Sequence, residues 1–325
     1  VILCFLMPCL WGMVMVGVVL GLRIGVRPGL GPLMGIGLLI PIAAKLPAVA
    51  GLGLLLAVYV GGSCGGAISA ILLRIPGTPM AAATMIDGYP MAQQGRAGEA
   101  IGLSIASSTL GGLFGGVVLI VLAPYLASIA LKFGPPEYFA LALTGLLSVA
   151  VVSIESTTKG IIVGILGLLT ATVGMDSFTS VYRFTFGNSD LIGGFNIISI
   201  VVGLFALPEM FHQIVEGRLS AKPHVEPVRA SFGATIATLK RWPTVIRSSL
   251  IGVFLGALPG TGGVVAAFAG YAVEKASSKT PERSGKGAED GVIASQAADN
   301  ACVGGTLMPT LALGIPGDPT SAVFM

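Results

Sequence analysis

The sequence has few charged residues. Asp, Glu, Lys and Arg make up only 10% of its 325 residues, whereas 54% are apolar. A soluble domain is about one-quarter charged, and so few charges cannot cover a soluble surface. The repeated apolar runs therefore predict helices that cross a bilayer, and the expected fold class is an all-α polytopic membrane protein.

Two further absences exclude other classes of protein. The net charge of +3 is small and scattered, so no nucleic-acid partner is expected. The four cysteines show neither zinc-site nor disulfide spacing and are expected to be small buried residues: Cys4, Cys9, Cys64 and Cys302. No cofactor is expected, and no metal beyond a possible coupling sodium ion. The first apolar run is too long for a signal peptide and has no small-residue cleavage site after it.

Apolar runs and the loops between them give an outline of the chain. The predicted membrane segments are 1–22, 25–44, 46–59, 101–122, 138–152, 160–174, 191–207, 248–271 and one that begins near Gly291. Residues 86–99 are expected to form a polar loop, and 272–290 a charged one. We predict a first membrane repeat over 1–207, a polar cytoplasmic connecting loop over 208–247, and a second repeat over 248–325 that is incomplete at its C-terminal end.

Lysine and arginine indicate how the chain is oriented. The connecting loop carries six of them and the loop after Tyr271 carries four, so both loops are placed in the cytoplasm. Residues 248–271 then have to enter the membrane and return, turning at 258–263. The eleven residues before that turn rise about 16 Å, half the thickness of a bilayer. A kinked helix that crosses fully, with one charged loop outside, is the alternative.

The chain contains an internal repeat. A shift of 231 residues aligns Trp11 with Trp242 and the turn at 28–31 with the turn at 259–262. Further on, Gly65-Gly66 and the Ile-Pro-Gly-x-Pro motif at 75–79 correspond to Gly304-Gly305 and the same motif at 315–319, with a difference of one residue. Duplicated halves that contain broken helices are typical of secondary transporters, whose site lies where the halves meet.

The proline–glycine breaks supply the chemistry of the predicted site. Proline removes a donor and glycine permits positive φ angles, so helices on either side end with free N–H and C=O groups. Free N–H groups at a helix start bind anions, and free carbonyls bind small cations. With nearby hydroxyl, amide and guanidinium groups, the predicted substrate-binding residues are Gly29, Gly31, Ser63, Arg74, Gly77, Thr78, Gly260, Thr261, Gly262, Asn300, Thr306 and Gly317.

Ionisable residues at membrane depth are candidates for function because burying them is costly. Asp87, Asp299 and Asp318 are predicted to bind the coupling cation, sodium or a proton. Asp87 has the alternative of a turn residue in a loop. Arg74 is expected either to pair with a substrate carboxylate or to extend towards the membrane surface. Asp299 and Gln296 need polar partners, which the missing C-terminal part is expected to supply.

These motifs resemble the large membrane subunit of the tripartite tricarboxylate transporter family. The matching stretches are 28–32, 59–72, 75–79, 87–92, 95–98, 258–260, 285–287, 300–301, 304–305 and 313–317. Four residues, Arg27, Arg74, Gln296 and Asp299, differ from those usual in the family. The resemblance implies a multi-pass bacterial inner-membrane protein, not an enzyme, that imports a citrate-like di- or tricarboxylate on a sodium or proton gradient. It also implies two partners, a small membrane subunit and a periplasmic substrate-binding protein.

Three other functions are compatible with parts of the sequence. An ion or anion channel also has broken helices along its pore, although no filter motif is visible. An intramembrane aspartyl protease would use Gly317-Asp318, but it needs a second catalytic aspartate and leaves the prolines unexplained. A structural scaffold subunit would not need prolines and glycines at two matching depths. The transporter accounts for both breaks and for the duplication.

Overall fold

The computed structural model describes residues 8–27, 30–130, 157–175, 181–195, 232–258 and 262–324, with isolated positions between 132 and 143 and residue 211. Two compact units make up the chain: residues 1–132 together with 209–325, and residues 133–208. The helices of the first unit are α1 (Pro8–Gly25), α2 (Pro32–Ala43), α3 (Ala48–Leu73), α4 (Ala81–Gln93), α5 (Ala97–Ala130), α7 (Phe232–Lys240), α8 (Trp242–Ala257), α9 (Gly262–Ser277) and α10 (Glu289–Leu313).

The second unit contains α6 (Thr157–Ala171), a short antiparallel pair of strands, β1 (Gly174–Met175) and β2 (Tyr182–Arg183), and a 3₁₀ turn over Ser189–Leu191. Most of α6 is exposed and apolar. It coincides with the membrane segment predicted over 160–174. The segments predicted over 138–152 and 191–207 lie almost wholly outside the described residues.

The expected all-α membrane fold is confirmed, because apart from the two short strands the elements in the described ranges are helical. Within these ranges, two helices are long and apolar enough to cross a bilayer, Ala48–Leu73 and Ala97–Ser128. They differ in burial: α3 is almost enclosed by other helices, whereas α5 exposes Leu113, Val117 and Ile120. Exposed aliphatic side chains on such a helix fit a surface in contact with lipid.

Two expected loops are wrong in part. Residues 86–99 form most of α4 and the start of α5, and only 94–96 are not helical. The part of the 208–247 connecting loop that the structure describes is helical as well. There Ala234 and Thr238 of α7 are 2% and 0% exposed. Helix α4 packs against α3 and helix α7 against α5. Packing against a longer helix stabilises a short one, which local composition does not reveal.

Helices α1 and α2 form a hairpin that packs along the first half of α3. Gly21 and Gly25 of α1 lie against the backbone of Val58 and Gly62, so close that neither glycine could carry a Cβ without a clash. The chain turns after α1 and α2 returns beside α3 until Ala43 meets Gly51. The hairpin therefore begins at the start of α3 and turns beside its middle.

Helices α8 and α9 form a second hairpin in the same relation to α10. Gly252 and Gly256 lie against the backbone of Ala298 and Cys302, at the positions that Gly21 and Gly25 hold in the first hairpin. Helix α9 then returns, with Gly270 against Ala294 and Ala298. Small residues at four-residue intervals let the helix backbones approach this closely, as expected for helices packed in a membrane.

The two breaks follow the same pattern. Helix α3 ends at Arg74 and α10 at Gly314, both with left-handed backbone (φ 57° and 67°). Beyond them, Gly77 packs on the carbonyl of Gly25, and Gly317 packs on the carbonyl of Gly256. The duplication predicted from the sequence is therefore present in the packing as well.

The register of the repeat needs one correction. A Cβ on Gly65 would stand 2.6 Å from the carbonyl oxygen of Leu22, and a Cβ on Gly305 would stand 2.6 Å from that of Val253. Leu22 and Val253 are equivalent under the shift of 231, so Gly65 corresponds to Gly305, not to Gly304. The long helices and their breaks are therefore related by a constant shift of 240, without the expected difference of one residue.

The equivalent helices α3 and α10 cross in opposite directions. Ile71, near the end of α3, belongs to one apolar cluster with Ile293, near the start of α10. Tyr59, in the middle of α3, belongs to another cluster with Leu307, near the end of α10. An antiparallel crossing of equivalent helices requires a pseudo-two-fold axis perpendicular to the helix direction. The repeats are therefore inverted, which the sequence left open.

Close backbone packing between α5 and α10 can be tested with two adjacent glycines. Gly115→Leu should lower the midpoint of thermal unfolding of the detergent-purified protein, because a Cβ there would stand 2.6 Å from the carbonyl oxygen of Ala301. Overpacking of this kind costs about 1–3 kcal/mol. Gly116→Leu is the control, since a Cβ there meets nothing within 4 Å. Equal midpoints for the two variants would contradict the packing.

Candidate functional site

The first break folds back into the protein. The backbone N–H of Gly77 donates a hydrogen bond to the carbonyl oxygen of Gly66 at 3.1 Å, about two turns before the end of α3. Helix α4 then starts at Ala81 with no side-chain cap on its first N–H groups. The break thus brings a helix start and the buried hydroxyl of Thr78 beside the interior of α3. The N–H groups of Ala81, Ala82 and Ala83 donate to carbonyl oxygens three residues earlier, at 3.1 to 3.4 Å, and the helix start carries partial positive charge.

The second break is joined to α3 by a buried carboxylate. Asp318, 4% exposed, accepts a short hydrogen bond from the hydroxyl of Tyr59, which is 2% exposed. The other oxygen of Asp318 accepts a bond of 2.6 Å from the backbone N–H of Ser321. Both oxygens of this carboxylate therefore have partners inside the protein.

A chain of buried polar side chains connects α4, α5 and α10. Gln296 donates from its amide to the hydroxyl of Thr84 at 2.6 Å and accepts from Ser108 at 2.8 Å. Asn300 donates to the same Ser108 oxygen at 2.9 Å. Ser295 shares a bond of 3.0 Å with Thr84. Gln296 thus finds its partners within this part of the chain, and the expectation that they lie in the missing C-terminal part is wrong for this residue.

Several buried polar atoms near the crossing have no hydrogen-bond partner among the described residues. With Asp87 Oδ2, which lies apart from the crossing, five such atoms belong to predicted site residues, and the other four are Ser63 Oγ, Thr78 Oγ1, Asp299 Oδ2 and Asn300 Oδ1. Each of these residues is at most 1% exposed. Buried polar groups are almost always hydrogen-bonded, so such atoms mark a place where a bound water, a ligand or an ion supplies the missing contact. The set contains only oxygen atoms, which suits a small hard cation.

The tip of the second hairpin closes on these groups. Gly262, with φ of 61°, lies beside Asp318, and a Cβ on it would be 3.4 Å from the Asp318 Cβ. The next residue, Gly263, lies beside Asp299 Oδ1 and the Met80 side chain, at 2.7 and 3.0 Å from its Cβ position. The tip, the first break and both carboxylates therefore meet at the crossing of α3 and α10.

Asp87 and Arg74 lie apart from this cluster. One oxygen of Asp87 accepts hydrogen bonds from the backbone N–H groups of Gly285, Gly287 and Ala288, at 2.8 to 2.9 Å. The carboxylate thereby fixes the segment that leads into α10. The exposed Arg74 places its guanidinium 5.6 Å from the ring centre of Tyr89, in a cation–π contact.

The other predicted residues take different positions. Thr306 is buried, and its hydroxyl donates to the carbonyl of Val303 in its own helix at 3.0 Å. Gly317 packs against Thr306 and the carbonyl of Gly256. Gly31 precedes α2, and a Cβ there would meet no atom within 4 Å. Gly29, Gly260 and Thr261 lie outside the described residues.

A network of ion pairs lies at the start of α10. Arg96 pairs with Glu99 at 2.7 Å and with Glu289, and Arg241 pairs with the same Glu289 and with Asp290 at 2.9 Å. Hydrogen bonds to Glu99 raise the pKa of Arg96, so this guanidinium stays charged. The same end of α10 thus holds the start of α8 and the beginning of α5.

Sequence reasoning missed Tyr59 and Ser108. The shift of 240 aligns Tyr59 with Asp299, so the correct register of the repeat would have singled it out. Ser108 lies in an apolar stretch of α5, and no local pattern sets it apart from its neighbour Ser107. Only its contacts with Gln296 and Asn300 do so.

Comparison with known proteins identifies the chain's relatives. A family model described as the "Tripartite tricarboxylate transporter TctA family" matches residues 12–325. An uncharacterized 52.8 kDa protein in the TAR-I ttuC′ 3′ region of Agrobacterium vitis is 41% identical over 310 residues, 95% of this chain and 62% of that protein. A protein in the TAR-II ttuC′ 3′ region of the same organism is 46% identical over 74 residues, 23% of this chain and 31% of that protein. No solved structure matches the chain.

The two adjacent serines of α5 provide a test of the buried polar chain. Ser108→Ala should lower the midpoint of thermal unfolding because Gln296 and Asn300 each lose a partner, at a cost of about 1–3 kcal/mol. Ser107→Ala should have a smaller effect, since the hydroxyl of Ser107 bonds only to carbonyls of its own helix. Both serines are at most 3% exposed. A larger loss in the Ser107 variant would contradict the network.

Proposed function

Because this chain belongs to the tripartite tricarboxylate transporter TctA family, we propose that it is the large membrane subunit of a secondary transporter. It imports a di- or tricarboxylate, such as citrate, across the bacterial inner membrane. It works with a small membrane subunit and with a periplasmic protein that delivers the substrate. The chain spans 62% of the length of the first curated relative it matches.

One observation carries this proposal: two broken helices of an inverted repeat cross where buried oxygens have no partner in the part of the chain that the structure describes. Inverted repeats with discontinuous helices place substrate and coupling ions near the middle of the membrane, at the interface of the repeats. In such transporters one repeat moves against the other around this site, which opens the site to each side of the membrane in turn. A pore has no need of two equivalent breaks enclosed by protein, so this arrangement favours a transporter over a channel.

The crossing offers a substrate anion few basic groups. None of the lysines and arginines in the described ranges is buried. A carboxylate at the crossing would therefore be held by backbone N–H groups at helix starts, by hydroxyls and by a cation bound beside it. The two buried carboxylates would otherwise repel an anionic substrate, so uptake depends on a co-transported sodium ion or proton.

The two hairpins would be re-entrant, each entering the membrane from one side and returning to it. Helices α8 and α9 have 16 residues each, shorter than the roughly 20 needed to cross a bilayer. Their turn lies beside the middle of α10, and both outer ends lie near the start of α10. Because the repeats are inverted, the α1–α2 hairpin would enter from the opposite side.

Labelling in membranes tests this topology. In a variant without its four native cysteines, Lys240→Cys and Ser278→Cys should both react with a membrane-impermeant maleimide in inside-out vesicles, and neither should react in whole cells. Both positions border the second hairpin, one on each side. Labelling of one position from each side would show that the hairpin crosses the membrane fully.

Uptake measurements test the proposed transport. The complete system, in cells that express all three proteins, should accumulate at least one of labelled citrate, malate and succinate. Gly77→Leu should abolish this uptake, because a side chain there would collide with the Gly25 carbonyl and Ser69. Gly12→Leu is the matched control, since a Cβ at Gly12 has open space around it. Normal uptake by the Gly77 variant would show that the packing of this break is not needed for transport.

A further inference from the structure

The inverted repeat relates the bond between Tyr59 and Asp318 to a second pair of residues. The shift of 240 that superposes the long helices and their breaks turns Tyr59 into Asp299 and relates Asp318 to Thr78. The two-fold axis maps the contact between Tyr59 and Asp318 onto an equivalent position between Asp299 and Thr78. The crossing of α3 and α10 therefore has two equivalent halves, each formed by one long helix and the break of the other repeat.

The two halves differ in their hydrogen bonds. In one half, the hydroxyl of Tyr59 donates to Asp318, and both groups are satisfied. In the other half, Asp299 Oδ2 and Thr78 Oγ1 have no hydrogen-bond partner within the described part of the chain. Both residues are 1% exposed, so water does not replace the missing contact by open access. An unpaired carboxylate at this depth is costly unless something charged occupies the gap.

We propose that Asp299 and Thr78 bind a sodium ion in the open half of the crossing, at the position equivalent to the Tyr59–Asp318 bond. The proposal rests on the transport function proposed above and names the residues that would hold its coupling ion. The carboxylate supplies the negative charge and the threonine hydroxyl supplies a neutral oxygen. The carbonyls freed by the break between α3 and α4 are available as further ligands.

The groups around the site favour sodium over other cations. The described residues contain no group of three or more His, Cys, Asp or Glu side chains that could hold a metal ion, which disfavours a transition metal or a divalent ion. One carboxylate with neutral oxygens matches a monovalent hard cation.

The position of the site couples it to the second hairpin. Asp299 Oδ1 and the Met80 side chain both lie against Gly263 at the start of α9, and Met80 follows Thr78 by two residues. An ion held between Asp299 and Thr78 would therefore pull together one long helix, the opposite break and this hairpin tip. It would also cancel the charge that repels an anionic substrate, so sodium would bind first and the carboxylate second.

Sodium binding to the purified full-length protein, without substrate, tests the proposal. Sodium chloride in place of choline chloride at constant ionic strength should raise the midpoint of thermal unfolding, because an ion that binds only the folded state stabilises it. Asp299→Asn and Thr78→Val should lower the apparent sodium affinity at least tenfold. Thr78→Ser, which keeps the hydroxyl, should retain the response.

Thr238→Val is the matched control. Thr238 is fully buried like Thr78, but its hydroxyl bonds to the carbonyl of Ala234 within α7 at 2.9 Å. This variant should lose some stability and keep its sodium response. An unchanged sodium response in both Asp299→Asn and Thr78→Val would overturn the site, as would equal effects of sodium, potassium and choline on the native protein. The assay needs no substrate, so the sodium response and the effects of these variants can be observed even in a protein that takes up none of the tested carboxylates.

Discussion

The structure depends on enclosing irregular backbone within a membrane. Each proline–glycine break leaves N–H and C=O groups without helical partners, and lipid can satisfy none of them. The protein meets this constraint by packing a hairpin against each long helix through glycines, so that the carbonyls of Gly25 and Gly256 lie against Gly77 and Gly317. A larger residue at any of these contacts would separate the helices and expose the break.

Duplication followed by divergence explains why the two halves of the crossing are chemically different. The backbone contacts are the same in both repeats, because the packing tolerates no change in them. The side chains that face the crossing are free to differ, and Tyr59 stands where its counterpart is Asp299. One half is thereby closed by an internal hydrogen bond, while the other keeps oxygens that have no partner among the described residues. The backbone packing of the repeats and the side chains that face the crossing are therefore under different constraints.

Ion pairs and unpaired acidic groups lie in different parts of the structure. The ion pairs of Arg96 and Arg241 with Glu289 lie at the start of α10, where they tie α5, α8 and α10 together. The crossing itself holds acidic, amide and hydroxyl groups and no buried basic residue among those described. Asp87, which resembles a site residue in sequence, instead caps the entry to α10. Charge alone does not distinguish Glu289 and Asp87, which have structural roles, from Asp299. Their positions within the repeat do.

The sequence by itself determined the membrane class, the duplication, the two breaks and the family resemblance, because these follow from composition and local motifs that need no partner. It also singled out Thr78, which lies within a break, and Asp299, an ionisable residue inside a predicted membrane segment, since such groups are unusual at membrane depth. Only the tertiary structure decided that the repeats are inverted, that Tyr59 pairs with Asp318 and that Ser108 bridges Gln296 and Asn300. These contacts join residues from 188 to 259 positions apart, and the direction in which two helices cross is set by packing that no local pattern encodes.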